Sequence, residues 1–245
     1  MIRGAYTSIS GIIAAQRRMD ILGDNIANVN TPGFKQSLST QASAELGVGA
    51  LADGQYAALG NLGMGTYATG LTIDQLQGPI LTSGVPTDLA ISGDGLFVVG
   101  TPTGLAYTRA GDFVLDANNT LTTQAGEPIL DVTGRPIVVP GGATALSVGE
   151  DGTIASTGQR IALVSVPQDG LTRLGGNLYA ITGTVTPVAA GAGGIRQGAL
   201  EGSNVDLGQT MTELIATQRS YQLSARAFSL QDATLGDTIA LGRVR

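Results

Sequence analysis

Apolar residues recur near the start of the chain at alternating steps of three and four. Ile2, Ala5, Ile9, Ile12, Gln16, Met19, Gly23 and Ile26 trace a heptad-like seam, flanked by Tyr6, Ile13 and Leu22. That spacing predicts an amphipathic helix over 2–29. The sequence Thr31-Pro32-Gly33 ends it. Proline disfavours helical geometry in the residue before it, and glycine accepts positive φ.

The other end repeats the pattern. Leu207, Met211, Leu214, Gln218, Tyr221, Ala225, Phe228, Asp232, Leu235 and Ile239 step by four and three, and no proline occurs from Val205 to Arg245. Ser203 with Asp206, or Asp206 with Gln209, fits a capping-box start. A helix over about 206–242 would be ~55 Å long at 1.5 Å per residue. Gly208 and Gly236 lie within it, so propensity alone cannot hold it and it needs a partner surface. The polar seam residues Gln16, Gln218 and Asp232 fit register specification. A seam rotated by one position would instead leave them on a solvated face.

Between the two helices the pattern changes. Residues 36–81 begin polar and become Gly-rich, which fits a linker or an extended hairpin. Residues 82–202 read as short strands rich in Val, Ile, Leu and Thr. They are punctuated by Asp94-Gly95, Asn118-Asn119, Thr133-Gly134 and Asp151-Gly152. The predicted fold class is α+β, a mostly β central domain inserted between long terminal helices that pair as a coiled-coil-like stem. The expected domains are 1–35 with 203–245 as a helical axial core, 36–81 as linker or hairpin, and 82–202 as an outer β domain.

Composition narrows the chemistry. Charged residues are 13% of the chain, about half the usual ~25%, and Gly numbers 37 of 245. The net charge is −6 and no basic run exceeds Arg17-Arg18, which argues against a nucleic-acid footprint. Lys35 is the single lysine, and Cys, His and Trp are absent. The common zinc, haem, iron–sulfur and thiol chemistries therefore lack ligands. No catalytic residue, cofactor or metal is expected. The N-terminus has no signal-peptide core, and no stretch has the ~18 apolar residues of a membrane span.

The remaining near misses are weak. Asp94 with Asp112, or Asp116 with Glu127, could pair as hydrolytic carboxylates, but they sit in turns where Asp serves its own backbone. Asp116 to Glu127 also spans a calcium-loop length, yet Leu121 stands where that loop requires Gly. A carbohydrate-binding β module on a helical stalk would have only Phe97, Tyr107, Phe113 and Tyr179 as aromatic platforms.

Three strings are specific. "MIRGAYTSISGIIAAQRRMDILGDNIANVNTPGFK" resembles the N-terminal segment of the flagellar rod, hook and hook-associated axial proteins, with "NIANVNTPGFK" as its hallmark. "DLAISGDGLFVV" with "YTRAGDFVLDANNTLTTQAG" is similar to the central motif of the rod and hook group. "GALEGSNVDLGQTMTELIATQRSYQLSARAF" is similar to its C-terminal motif. The opening residues and modest length resemble the proximal rod type, with the distal rod type next. Gly23-Asp24 departs from the family's usual small or apolar residue followed by Asn.

The resemblance implies a structural subunit of the bacterial flagellar basal-body rod. Such a chain is exported unfolded through the flagellar export apparatus and polymerised into a helical, torque-transmitting shaft between motor and hook. Its implied partners are copies of itself and other rod and hook-side axial proteins, with no nucleic acid, small-molecule substrate or membrane insertion. Its implied place is the extracytoplasmic basal body. The expected assembly interface is Ile2, Ile9, Ile12, Met19 and Ile26 on the first helix and Leu207, Met211, Leu214, Tyr221, Phe228, Leu235 and Ile239 on the last. Asn25, Asn28, Asn30 and Phe34 join them, the amides as helix caps and cross-subunit contacts and Phe34 as an apolar anchor. Without neighbours to cover their faces, the terminal helices are expected to order on assembly.

Overall fold

The computed structural model describes residues 2–52, 55–166, 170–182, 186–187 and 194–242, without side chains at 2–3, 46–52, 55–62, 68 and 240–242. The chain forms two compact units. One holds Met1–Ile26, Ser37–Leu71 and Leu207–Arg245; the other holds Ala27–Gln36 and Thr72–Asp206. Relative to the expected boundaries, the Gly-rich stretch belongs with the terminal helices, and the peptide after the first helix belongs with the strands.

In the first unit α1 spans Ile2–Ala27 and α2 spans Leu207–Gly242, while β1 (Ser37–Ala52) and β2 (Gln55–Ile73) form a long two-stranded hairpin. The hairpin lies on α1. Thr66 N–H donates to Ser10 Oγ at 3.3 Å, and Gln41 Nε2 donates to the Ala14 carbonyl at 3.5 Å. A side chain at Gly65, φ 114°, would collide with Ser10.

The two helices run antiparallel. Gly4 abuts Gln231, Gly11 abuts Ser224, and Arg18 pairs with Glu213 at 3.3 Å. On the side of α1 that carries these contacts Gly4, Ser8, Gly11, Ala15, Arg18, Leu22 and Asn25 are buried or half-buried, and so on α2 are Thr210, Leu214, Thr217, Tyr221, Ser224, Phe228, Gln231 and Leu235. The α1 seam is thus displaced by one position from the predicted one. On α2 one of the two predicted rows moves by one, and Leu214, Tyr221, Phe228 and Leu235 stay. The reason is size: glycine, alanine and serine let two backbones approach closely, which isoleucine in the predicted rows would prevent. Gln16, Gln218 and Asp232 then lie on exposed faces, as the rotated-seam alternative requires.

In the second unit the strands are antiparallel. β5 (Leu96–Thr101) and β6 (Gly104–Thr108) form the centre of a six-stranded sheet. The sheet is completed by β9 (Leu163–Ser165), β10 (Leu171–Gly175), β11 (Leu178–Ile181) and β12 (Thr186–Pro187) in the order β10-β11-β6-β5-β9-β12. The continuous apolar run Leu96–Val99 has a simple cause: β5 is buried on both faces. Phe97 and Val99 enter one core with Leu89, Ile91, Phe113 and Ile129, and Leu96 and Val98 enter a second with Tyr107, Leu130, Val164 and Tyr179. Phe97 meets Phe113 edge to face at 5.0 Å.

Two short pairs complete this unit, β3 (Ile80–Thr82) with β14 (Ala199–Glu201) and β4 (Leu89–Ser92) with β13 (Gly194–Gln197). From Val114 to Ile161 the ladder shrinks to single bridges and one two-residue pair, β7 (Val114–Leu115) with β8 (Leu121–Thr122). Turns carry this stretch. Asn119 adopts φ 58°, and Gly134 and Gly152 adopt φ 79° and 81°.

Candidate functional site

The peptide "NIANVNTPGFK" is integrated into its own chain. Asn25 is fully buried, its Oδ1 accepting from Ser37 N–H and its Nδ2 donating to Ser37 O, both at 2.9 Å. It therefore mimics a strand partner for the first residue of β1 and does not cap α1. Asn28 Oδ1 accepts from Thr31 Oγ1 at 3.2 Å, and Asn30 is exposed. Phe34 is 2% exposed beneath the Arg173 guanidinium, 4.3 Å from its ring centre. Within the chain, then, Asn25 is hydrogen-bonded to β1 and Phe34 is packed beneath Arg173.

Beyond Phe34 lies a buried charge cluster. Glu201 Oε1 accepts from Lys35 Nζ at 2.6 Å and from Gly78 N–H at 3.0 Å, and its Oε2 accepts from Arg109 Nε at 2.5 Å. Lys35 also donates to the Leu76 carbonyl at 2.7 Å, and Arg109 donates to the Ile91, Gly93 and Gly95 carbonyls. Burial pulls the Lys35 ammonium below the usual lysine value, and the Glu201 carboxylate beside it opposes that shift. Backbone follows the same route, since Gly33 N–H donates to the Glu201 carbonyl at 2.7 Å. Glu201 lies 166 residues from Lys35 and 92 from Arg109, so no local spacing marks the cluster. The one available signal was a lone lysine following an apolar "GF".

The helices carry a second feature. Tyr6 (69% exposed) and Ile13 (48%) lie on the face of α1 away from the seam. At 3.6 residues per turn, Met211, Ile215, Leu223 and Leu230 lie on the face of α2 turned from α1, each at least half exposed. Of the expected interface residues, Ile9, Leu207, Met211 and Ile239 are exposed, and Ile12, Met19, Ile26, Leu214, Tyr221, Phe228 and Leu235 are half-buried. The Ile2 side chain lies outside the described residues. Gly4, Gly11 and Ser224, which make the intrachain contact, escaped notice because small and polar residues contribute nothing to a hydrophobic pattern.

Of the carboxylates considered for hydrolysis, Asp116 serves a turn, and two further aspartates, Asp131 and Asp151, are used in the same way. Asp116 Oδ1 accepts from the backbone N–H of Asn118 and Thr120, and Asp131 Oδ1 from that of Thr133 and Arg135. Asp151 Oδ1 accepts from Thr153 N–H. The backbone bond from Thr120 holds Asp116 below the usual aspartate value, and the Thr153 hydroxyl does the same for Asp151. Burial pushes Asp131 up, but the bonds from Thr133, Arg135 and Gln159 outweigh it and leave it lowered. Burial raises Asp112, with the Asp88 charge adding to the effect. Phe97, Phe113, Tyr107 and Tyr179 are all buried, so none is free to act as a sugar-binding platform.

Comparison with known proteins agrees with this arrangement. Three family models match: "Flagella basal body rod protein" over 6–35, "Flagellar hook protein FlgE/F/G D1 domain" over 90–156, and "Flagellar basal body rod FlgEFG protein C-terminal" over 196–241. The chain is 36% identical to the flagellar basal-body rod protein FlgG of Bacillus subtilis, covering 99% of this chain and 100% of that one. It is 33% identical to the FlgG of Buchnera aphidicola from Acyrthosiphon pisum, over 96% of this chain and 98% of the other. The rod protein FlgF of Rhizobium meliloti is also 33% identical, over 90% of each chain. Matched along nearly its whole length, the chain belongs to the flagellar basal-body rod proteins.

Proposed function

We propose that this rod subunit joins its neighbours through the helix faces that its own α1–α2 pair leaves uncovered. The protein is a structural component of the flagellar basal body, not an enzyme. The observation that carries the assembly reading is a set of large apolar side chains that α2 leaves exposed outside its contact with α1. Its intrachain seam is already occupied by α1, yet Met211, Ile215, Leu223 and Leu230 remain at least half exposed on the other side. Large apolar side chains left exposed on a helix whose other side is already covered call for a second partner, and α1 of a neighbouring copy, with Tyr6 and Ile13 outward, supplies it. Contact between two different surfaces repeats head to tail and builds an open filament wherever its rotation does not close into a ring.

Other rod and hook-side axial proteins present the same kind of helical ends, and the chain passes to them through the flagellar export apparatus. Before assembly the uncovered faces leave α1 and α2 exchanging amides faster than the β cores, and assembly protects them.

The test is Ile215→Asp with Leu223→Asp in one chain. Purified monomer should keep its circular dichroism and β-core exchange protection, while cells lose motility and purified basal bodies lack the rod. Normal swimming with intact rods would overturn the interface.

A further inference from the structure

Lys35 and Glu201 lie on the two passages of chain that lead to the terminal helices. Lys35 follows the end of α1 at Ala27, and Glu201 precedes the start of α2 at Leu207. Together with Arg109 they make a cluster of two cations and one anion, exposed by 4% at Lys35, 1% at Glu201 and 4% at Arg109. Among the described residues Glu201 is the one carboxylate within ion-pair distance of either cation. The other donors of Lys35 and Arg109 go to backbone carbonyls, which supply no charge. If residues 199–206 were absent, two cations would be buried without a counter-ion, an arrangement proteins avoid.

The backbone repeats this mutual dependence. Gly33 N–H donates to the Glu201 carbonyl, Asn204 N–H to the Phe34 carbonyl, and Gln36 N–H to Asn204 Oδ1. Asn204 Nδ2 reaches the Asp74 and Leu76 carbonyls, the latter also accepting from Lys35. Each passage therefore completes the binding site of the other.

We propose that Glu201 is a latch through which the peptide leaving α1 and the peptide entering α2 dock and release as one unit. Neither passage docks within the β unit until both are present. The N-terminal passage stays undocked while the C-terminal one is missing or still emerging. This goes beyond the assembly reading: it concerns when the two passages dock, not what the helices touch, and it stands or falls separately.

The single lysine makes the latch measurable. A lysine-specific endoprotease has one target in the 245-residue chain, Lys35, and reaches it only when the cluster opens. The full-length protein should be cut slowly. Glu201→Gln should be cut at least tenfold faster while amides of the Phe97–Ile129 core stay protected, and the variant Glu150→Gln, at an exposed carboxylate away from the cluster, should be cut at the wild-type rate. A Glu201→Gln chain as resistant as wild type would overturn the latch.

Amide exchange on the wild-type chain decides the matter even if that variant unfolds. The N–H groups of Gly33, Gly202 and Asn204 should share one opening rate within about threefold. Rates a hundredfold apart would mean that the two passages open independently, and would equally overturn it.

Discussion

Gly33 lies against the backbone of Ala110 with no room for a side chain between them. Its φ of 67° is also one that other residues seldom adopt. Two costs therefore coincide, the strained backbone and the clash with main chain that cannot swing aside. Gly33→Ala should destabilise the β unit by about 3 kcal/mol or more. Gly84 offers the control, with φ 74° and open space around it, and Gly84→Ala should cost only ~1–2 kcal/mol. Urea unfolding followed by a β-unit signal separates the two; equal losses would show that backbone strain alone matters at Gly33.

The helical glycines divide by their surroundings. Gly23 and Gly236 face open space, so Gly23→Ala and Gly236→Ala should each stabilise their helix by about 0.5–1 kcal/mol. Gly11→Ala should gain nothing, and Gly11→Leu should part the helices, because a Cβ at Gly11 would come within 3.1 Å of Ser224 Oγ. Thermal melts read at a helical wavelength give the order directly. A stabilising Gly11→Leu would mean that the two helices do not meet along this face.

Acid should weaken the β unit through its turn carboxylates. Asp116, Asp131 and Asp151 titrate below their ordinary value in the folded chain. The unfolded state therefore takes up protons first, at pH near 4. The stability these groups contribute is complete above that pH and is lost as pH falls through the folded values. Asp112, raised by burial, acts oppositely: its contribution falls as pH rises above about 4. Asp131→Asn should lower stability at pH 7 and should narrow the gap from wild type at pH 3. A constant gap across that range, measured by urea titration, would remove Asp131 from the acid response.

Much of the fold was legible because its causes are local. Both helices follow from apolar spacing and from Pro32-Gly33, and their observed ends fall within two residues of the expected ones. The turns at Asn119, Gly134 and Gly152 follow from residues that tolerate positive φ. The carboxylates of Asp116, Asp131 and Asp151 fold back onto main chain two to four residues away, so their role is written in the sequence around them. Less legible was the Gly-rich stretch, where little alternation marks the β1–β2 hairpin.

Periodicity established that each terminal helix has an apolar stripe, and motif likeness established the family. Which stripe faces which partner was decided only by tertiary structure. A row of isoleucines reads alike whether it meets its own chain or another, whereas close approach of α1 and α2 selects glycine and serine at Gly4, Gly11 and Ser224, residues without hydrophobic signal. Likewise Lys35, Arg109 and Glu201 are ordinary charged residues in sequence. Their coupling exists only once the chain has brought them together in a buried place, where a charge must find its opposite and water cannot serve instead.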